Sequence, residues 1–361
     1  MPAAAVDQYL EARIAAGDFP GASYLIAEGD RVLAEAALGH AVLQPERIPA
    51  ALGTIYDLAS LTKPLACALL AAILEAEGGL RFDDRLSRHL RGWTADDERA
   101  DITLLDLLTH RAGLPAWEPL YLHAAERTQR VEWLRTVPLA HPPGAGVTYS
   151  CPNYILLGFA LEAIGGAPLD RLFAEKVARP LALSDLLYRP PASLRRRIAA
   201  TEIGNVRERR LAGPAGDRYN GWRTEVIWGE VHDNNAHTLG GVSGNAGLFG
   251  SARAVHALAL QFLGPGLLDG RRRAMFTSDL TPGLGESRGI GFQIATTPGC
   301  SAGPALSGAA FGHTGFTGTS LWIDPETRRV DILLTNRVHP RYRDIEMNAI
   351  RRQFHRIAAD V

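Results

Sequence analysis

A serine and a lysine three residues apart form the pair with the clearest capacity for chemistry in this sequence. Ser60-Leu61-Thr62-Lys63 lies where an apolar segment leads into a predicted helix. Residues three apart share one face of a helix, so the Lys63 amine can approach the Ser60 hydroxyl. A serine is a weak nucleophile until a base takes its proton, and a lysine can be that base if its surroundings lower its pKa. The pair therefore predicts nucleophilic catalysis at a helix N-terminus, where unpaired amides favour negative charge.

Two later motifs support a catalytic role for this pair. By itself, a pattern with two defined positions recurs by chance, and its simplest interpretation is a helix cap beside a surface lysine. A Tyr-Ser pair near residue 150 and a His-Thr-Gly triplet near residue 313 follow in the same chain, next to an apolar helix and a strand-like run. These motifs are Tyr149-Ser150-Cys151 and His313-Thr314-Gly315-Phe316.

Together the three motifs resemble the serine β-lactamase and penicillin-binding-protein superfamily, most closely its class C-like branch of esterases and D-peptidases. Further similar stretches lie at 107–115, 229–233, 240–249 and 334–337. The resemblance implies an α/β fold, in which an antiparallel sheet flanked by helices carries an inserted, mainly helical subdomain. It also implies catalysis with no metal and no organic cofactor.

The resemblance gives each site residue a role. Ser60 would be the acylated nucleophile, oriented by Lys63, and Tyr149 would complete the base pair. Either the phenolate or the neutral lysine would pass the proton to the leaving group. The backbone amides of Ser60 and Phe316 would form the oxyanion hole. The remaining residues expected to contact the substrate are His313, Thr314, Gly315 and Cys151.

Two positions depart from the pattern of many relatives. Cys151 stands where they have asparagine, and Asn153 is out of register. A thiol is a weak hydrogen-bond donor and acceptor, so it cannot hold an amide as an asparagine does. His313 replaces a lysine, so at pH 7 there need not be a fixed positive charge here to bind a substrate carboxylate. Both changes favour an ester, or a differently shaped amide, over a β-lactam.

The favoured function is therefore a serine hydrolase that works through a Ser60 acyl-enzyme, as a carboxylesterase on small acyl esters. The alternative is a D-amino-acid peptidase, such as a D-Ala-D-Ala carboxypeptidase, or a weak class C-like β-lactamase, because the same groups open amides and lactams. A non-catalytic binding protein of the same fold is a third possibility, which the intact Ser60, Lys63 and Tyr149 disfavour. The expected partner is a small ester, amide or lactam, and the oligomeric state stays open.

Composition and charge disfavour several other classes of protein. The chain has 361 residues with 38 basic and 39 acidic side chains, a net charge of −1 that favours neither nucleic acid nor an anionic membrane. Arginine clusters at 195–197, 207–210 and 271–273 lack interleaved aromatic residues and predict a solvated surface. The longest apolar run, 64–74, is shorter than the ~20 residues that span a bilayer. No signal peptide is visible, which predicts a cytoplasmic protein, although an exported protein without its leader would look the same.

Three other patterns have simpler interpretations. His232, Asp233 and His237 are irregularly spaced for a metal site, so loop structure or lining of the cleft is the better explanation. The glycine-rich segment 240–250 lacks the Gly-Lys-Ser/Thr ending of a phosphate loop, which favours close backbone packing. The absence of Gly-x-Ser-x-Gly argues against an α/β-hydrolase.

Hydrophobic periodicity and turn signals place strands near both ends of the chain and helices in the middle. We therefore predict one α/β sandwich from 1–75 and 240–361, a mainly helical subdomain from 76–239, and a cleft between them. The stretch 201–237 shows little periodicity and is expected to be a long loop. Strands are predicted at 22–27, 31–38, 289–295, 319–323 and 330–335, and helices at 4–16, 60–77, 102–108, 127–136, 154–165, 252–262 and near the C-terminus.

Overall fold

A seven-stranded antiparallel sheet is the centre of the molecule, whose computed structural model describes residues 2–93 and 97–361. The strands are β1 (Gly21–Glu28), β2 (Arg31–Val42), β3 (Ile48–Pro49), β4 (Tyr56–Asp57), β5 (Leu186–Tyr188), β6 (Leu248–Gly250), β7 (Gln293–Ile294), β8 (Phe311–Thr314), β9 (Ser320–Asp324) and β10 (Arg329–Thr335). The sheet order is β3-β2-β1-β10-β9-β8-β7, so strands from the two ends of the chain lie side by side. This confirms the predicted α/β class with an antiparallel sheet flanked by helices.

Helices cover both faces of this sheet. The longer ones are α1 (Pro2–Ala15), α2 (Ala59–Ala76), α3 (Leu86–His89), α4 (Leu104–Leu108), α5 (Leu120–His123), α6 (Arg127–Leu134), α7 (Cys151–Gly165), α8 (Leu169–Phe173), α9 (Val206–Leu211), α10 (Gly213–Arg218), α11 (Asn234–Thr238), α12 (Ala252–Ala259), α13 (Gly270–Thr277) and α14 (Met347–Ala358). A π-helical turn, Ala174–Ala178, continues α8, and short 3₁₀ helices lie at Glu98–Asp101, Ala192–Arg197 and Leu260–Phe262.

Strand β1, in the interior of the sheet between β2 and β10, shows why both faces of the sheet are covered. Tyr24 and Ile26 pack with α1 and α14, whereas Leu25 and Ala27 belong to the larger core on the opposite face. Side chains alternate between the faces of a strand, so a fully apolar strand requires cover on both sides. The short apolar runs at both termini therefore assemble one sheet with two packed layers.

Helix α2 carries the predicted nucleophile into the core. It starts as a 3₁₀ turn at Ala59–Leu61, passes through a π-helical segment at Lys63–Ala68 and becomes α-helical at Leu69–Ala76. Isolated π-helical turns occur frequently at functional sites. By length and apolar composition α2 could cross a membrane, but 83% of it is buried within the protein, as expected of a core helix.

The structure corrects two element predictions. The stretch 201–237 is not simply a long loop, because it contains α9 and α10 and most of α11. The strand expected at 289–295 is reduced to β7, since Gly291 has a left-handed φ of 79° and the Gly289 amide donates to the Phe292 carbonyl across 3.1 Å. A turn therefore replaces the first residues of the predicted strand.

A second, three-stranded sheet of order β4-β6-β5 joins the segment before α2 to the middle and later parts of the chain. Gly244, in the glycine-rich segment, packs against α7 so closely that a Cβ atom would lie 2.0 Å from the Tyr154 carbonyl oxygen. This confirms close backbone packing as the reason for glycine there. The division into 1–75 with 240–361 and a subdomain at 76–239 stays a prediction.

Candidate active site

The turn that precedes Ser60 is held in an unusual conformation. Ala59 has a φ of 48°, in the left-handed region that non-glycine residues rarely adopt. The Asp57 carboxylate accepts hydrogen bonds from the Ala59 amide at 2.9 Å and from the His232 amide at 2.7 Å. Strained backbone persists only where surrounding contacts hold it. Asp57 thus positions the start of α2 and ties it to the loop at 232–233.

Lys63 lies one helical turn after Ser60 and is fully buried. Its Nζ atom donates to Ser60 Oγ at 2.9 Å and to the Asn245 carbonyl at 3.1 Å, and it contacts Cys151 Sγ at 3.6 Å. An ammonium has three donors, and each has a partner here. The contact predicted from the three-residue spacing is present, and two distant segments hold the lysine in place.

The condition under which Lys63 could act as the base, a lowered pKa, is not met. Burial lowers that pKa, but the negative charge available at Cys151, Tyr149 and Asp233 outweighs it, so the Lys63 pKa lies above its ordinary value. Burial raises the pKa of the Cys151 thiol in spite of the nearby ammonium. Lys63 is therefore an ammonium that donates to Ser60 rather than a base.

Tyr149 lies two residues before the start of α7 and lines the same cavity as Ser60. The Lys63 Nζ atom is 5.1 Å from the centre of the Tyr149 ring. Ser150 caps α7 by accepting from the Asn153 amide, and its own amide donates to His110 Nδ1 at 3.0 Å. The His110 and Tyr149 ring centres are 4.7 Å apart. A buried histidine and a helix cap thus position the tyrosine.

His313 is buried on β8 with its ring centre 5.7 Å from that of Tyr149. Its Nδ1 donates to the Thr314 carbonyl at 2.8 Å, which leaves Nε2 as an unprotonated acceptor. Burial, together with the charges of Lys63 and Arg288, holds the pKa of His313 well below its ordinary value. The histidine is neutral at pH 7, so it supplies an acceptor where a lysine would supply a cation.

The loop after β8 is fixed against the residues before Ser60. The Thr317 hydroxyl donates to the Asp57 carbonyl at 2.8 Å, and the Thr319 hydroxyl donates to the Leu58 carbonyl at 3.0 Å. A Cβ atom on Gly315 would lie 2.0 Å from Thr319 Oγ1 and 2.6 Å from the Leu58 oxygen, so only glycine fits. Within the described part of the chain, the Phe316 amide has no protein acceptor. It remains available to an oxyanion.

One cavity of about 640 Å³ brings the predicted site residues together, with the buried Lys63 beside it. The site residues in its lining are Ser60, Tyr149, Cys151, His313, Thr314, Gly315 and Phe316. Sequence reasoning missed four arginines in the same lining, namely Arg207, Arg288, Arg337 and Arg351. Arg337 lies in a stretch that carried the family resemblance, as does Asn245. Arg207 belongs to the cluster 207–210 that was predicted to be a solvated surface; that prediction is wrong for Arg207, which is half-buried and lines the cavity.

His232 and His237 contact acidic side chains near the cleft rather than a metal-ligand cluster. His232 Nε2 lies 3.0 Å from a Glu202 carboxylate oxygen, and His237 Nδ1 lies 3.2 Å from Glu230. Asp233 accepts from the Asn245 side-chain amide at 3.2 Å. Over residues 2–93 and 97–361, no group of three or more His, Cys, Asp or Glu side chains is arranged to hold a metal ion. His232 and Asp233 line the cavity.

Sequence comparison gives matches over nearly the whole chain. The family model described as Beta-lactamase matches residues 6–355. A protein of Escherichia coli K12 that carries the provisional name D-alanyl-D-alanine carboxypeptidase is 32% identical, over 95% of this chain and 84% of its own. A Salmonella typhi protein with the same provisional name is also 32% identical, over 92% of this chain and 82% of its own.

Solved structures share the fold at lower identity. EstCE1, described as a hydrolase with promiscuous acyltransferase activity, superposes with a TM-score of 0.75 at 23% identity, covering 99% of this chain and 98% of its own. The simvastatin synthase LovD of Aspergillus terreus superposes with a TM-score of 0.74 at 19% identity, covering 99% and 98% of the two chains. At these identities the likeness extends to the fold alone.

Proposed function

Because this chain belongs to the β-lactamase family of serine hydrolases, we propose that it hydrolyses small carboxylic esters through an acyl-enzyme on Ser60. The observation that carries the proposal is the 2.9 Å hydrogen bond from Lys63 Nζ to Ser60 Oγ, beside the Tyr149 ring in one cavity. The nucleophile Ser60, the Lys63 ammonium and the proton acceptor Tyr149 are thus within reach of one bound substrate.

Acylation starts with attack of Ser60 Oγ on the ester carbonyl carbon. Tyr149 acts as its phenolate and takes the hydroxyl proton, while the Lys63 ammonium stabilises the charge on both oxygens. The carbonyl oxygen becomes an oxyanion that accepts from the Ser60 and Phe316 amides. When the tetrahedral intermediate collapses, the carbon–oxygen bond to the leaving group breaks and Tyr149 returns the proton to the departing alcohol.

Deacylation repeats these steps with water as the nucleophile. Water attacks the Ser60 ester carbonyl and gives a proton to Tyr149. The second tetrahedral intermediate collapses, and the proton returns to Ser60 Oγ as the carboxylic acid leaves.

The side chains around Ser60 support an ester over a lactam. The Cys151 thiol lies 3.6 Å from Lys63 Nζ, where many relatives have an asparagine. A thiol is a weak donor and acceptor, so it holds a peptide-like side chain less well than an amide does. His313 is neutral and offers an acceptor rather than a positive charge. An ester, whose alcohol is a good leaving group, requires less from these contacts than an amide does.

A D-Ala-D-Ala carboxypeptidase is the second candidate. The E. coli and Salmonella relatives, 32% identical over more than nine-tenths of this chain, carry that provisional name. The same acyl-enzyme chemistry would cleave the terminal peptide bond, with D-alanine as the leaving group. The four cavity arginines give a terminal carboxylate places to bind.

Rates and adducts on wild type and Ser60→Ala test the proposal. We expect kcat/KM for a short-chain nitrophenyl ester to exceed that for nitrocefin and for release of D-alanine from a D-Ala-D-Ala peptide. Intact-protein mass spectrometry should show a fluorophosphonate adduct that Ser60→Ala lacks, with a nearly unchanged melting temperature. Faster turnover of the peptide or of nitrocefin would replace the esterase proposal with the corresponding alternative. A folded wild type without any adduct would favour a non-catalytic binding protein.

A further inference from the structure

The loop beside the catalytic cavity contains a carboxylate–histidine pair that no step of the proposed acylation uses. His232 Nε2 lies 3.0 Å from a carboxylate oxygen of Glu202, and the two side chains are 4% and 1% exposed. A carboxylate only accepts hydrogen bonds, so in the neutral imidazole the proton lies on Nε2 and Nδ1 is an acceptor. Across the described ranges, 2–93 and 97–361, Nδ1 has no hydrogen-bond partner, although His232 lines the cavity that contains Ser60.

The protein fixes the backbone of His232 against the turn that carries Ser60. The His232 amide donates to Asp57 at 2.7 Å, and its carbonyl oxygen accepts from Arg223 Nη2 at 2.6 Å. Asp57 also accepts from the amide of Ala59, the residue directly before the nucleophile. The loop that carries the histidine and the turn that carries Ser60 therefore share one anchor. A group that orients a reactant must be held in this way.

The ring of His232 lies beside the predicted oxyanion site. Its centre is 5.6 Å from that of the Phe316 ring, with 24° between the two planes. The Phe316 amide is the predicted second donor to the oxyanion. The other carboxylate oxygen of Glu202 accepts from the Arg207 amide at 3.4 Å, so the carboxylate that orients the imidazole is itself held. The imidazole thus belongs to the part of the cavity where the acyl carbonyl is expected to bind.

His313 also lines the cavity with a free acceptor nitrogen, but a weaker contact sets its orientation. Its Nδ1 donates to the neutral Thr314 carbonyl, whereas His232 donates to a carboxylate. Hydrogen bonds to a charged partner are roughly twice as strong as neutral ones, so they hold a ring more firmly. In Ser-His-Asp triads a buried carboxylate sets the tautomer of the histidine in the same way. Of the two histidines, His232 is therefore the one whose acceptor has a fixed direction.

We propose that His232 Nδ1 binds the water molecule that hydrolyses the Ser60 acyl-enzyme, and that Glu202 orients the imidazole for this contact. The inference rests on the proposed ester hydrolysis and concerns its second half. One O–H of the water donates to Nδ1, and the other gives its proton to Tyr149. The water oxygen bonds to the acyl carbon, the bond from that carbon to Ser60 Oγ breaks, and the proton returns from Tyr149 to Oγ. His232 keeps its own proton on Nε2 throughout.

A water-binding role predicts a defect in one half-reaction only. The attacking oxygen of acylation belongs to Ser60 itself, so acylation requires no bound water. Both half-reactions use the same oxyanion amides, so a general disturbance of the loop would slow both of them. Loss of the acceptor at His232 Nδ1 should therefore slow deacylation and leave acylation nearly unchanged.

His232→Gln is the test variant, because glutamine keeps a donor for Glu202 and leaves no acceptor at the place of Nδ1. His237→Gln is its matched control. His237 forms another carboxylate–histidine pair of this region, with Glu230 at 3.2 Å, and lines a separate hollow of about 260 Å³. Glu202→Gln tests the orienting role, since its amide can donate to His232 Nε2 and so move the proton to Nδ1.

Two measurements separate the half-reactions. The value of kcat/KM for 4-nitrophenyl acetate contains only the steps up to acylation, and active-site titration with a fluorophosphonate corrects it for unfolded protein. Deacylation is the first-order loss of the acetyl adduct from Ser60, followed by rapid quench and intact-protein mass spectrometry. We expect His232→Gln and Glu202→Gln to slow deacylation by about 10²-fold, the cost of a misplaced reactant, and to keep kcat/KM within about threefold of wild type. His237→Gln should keep both values.

The outcomes distinguish the water site from the proposed function. Equal losses of acylation and deacylation in His232→Gln, a loss of acylation alone, or no loss of either would refute the water site and leave the esterase standing. Equally slow deacylation in His237→Gln would also refute it, since the effect would then not depend on the cavity. A normal deacylation rate in Glu202→Gln would refute the orienting role of that carboxylate. If folded wild type forms no acetyl adduct on Ser60 and turns over no ester, the proposed function itself fails.

Discussion

Lys63 donates a hydrogen bond to Ser60 across 2.9 Å, from a side chain that is fully buried and also bound to the Asn245 carbonyl. Because the pKa of Lys63 lies above its ordinary value, this contact is one between an ammonium and a hydroxyl. The lysine thus orients the nucleophile and stabilises its developing charge, and Tyr149 is left as the group that moves the proton.

Removal of this ammonium should abolish most of the activity. We expect Lys63→Ala to lower kcat/KM for a nitrophenyl ester by about 10²–10³-fold, the usual cost of removing one positioned donor that stabilises developing charge. Lys176→Ala is the control, because Lys176 pairs with Glu77 away from the cavity. A Lys63→Ala enzyme within threefold of wild type would remove Lys63 from the mechanism.

An amide in place of the thiol should change the preference for substrates. Cys151→Asn adds a donor and an acceptor beside Lys63, so we expect the ratio of nitrocefin to ester kcat/KM to rise by about tenfold. Cys151→Ala, which removes the thiol without adding an amide, should not raise the ratio. An equal ratio in both variants would mean that residue 151 does not determine the choice between ester and lactam.

The loop that carries the predicted oxyanion amide requires glycine at 315. Gly315→Ala would place Cβ 2.0 Å from Thr319 Oγ1, so the loop must move, and we expect kcat to fall by about 10²-fold or more. Gly308→Ala is the control, since its nearest neighbour would be Thr296 Cγ2 at an ordinary 3.7 Å. Steady-state kinetics with one ester measure both variants. Wild-type kcat in Gly315→Ala would show that the loop geometry is not needed for catalysis.

Stability should fall in acid because His313 is held neutral. Its folded-state pKa lies well below the ordinary value of about 6.5, so below that pH the unfolded chain binds a proton that the native protein does not. Stability is present above pH 6.5 and is lost as the pH falls towards the folded pKa. Each such histidine contributes a slope of about 1.4 kcal/mol per pH unit, and buried His110 acts in the same direction.

Urea denaturation at pH 7, 6 and 5 measures this slope. His313→Gln should reduce the slope of unfolding free energy against pH by about 1.4 kcal/mol per pH unit, and His110→Gln by a similar amount. His40→Gln, on β2 and outside the cavity, should keep the wild-type slope. An unchanged slope in His313→Gln would mean that this histidine gains its proton in the native protein as readily as in the unfolded chain.

Local patterns predicted much of the fold. The apolar runs of β1, β2, β9 and β10 were within a few residues of their observed bounds, because alternation and turn residues act over short distances. The strand at 289–295 was overestimated, since the left-handed Gly291 cannot be read from hydrophobicity. The helices within 201–237 were missed because they are short and their packing, rather than their periodicity, stabilises them.

What the sequence determined by itself is the Ser60–Lys63 pair and the class of chemistry, because a spacing of three residues on a helix makes that contact locally. Only the tertiary structure decided the protonation of Lys63 and the charge of the cavity. Both depend on burial and on groups such as Asn245, Cys151 and Arg337, which are distant in sequence and meet only when the chain folds. A pKa is set by distance and solvent exposure in three dimensions, and neither quantity is written in the order of the residues.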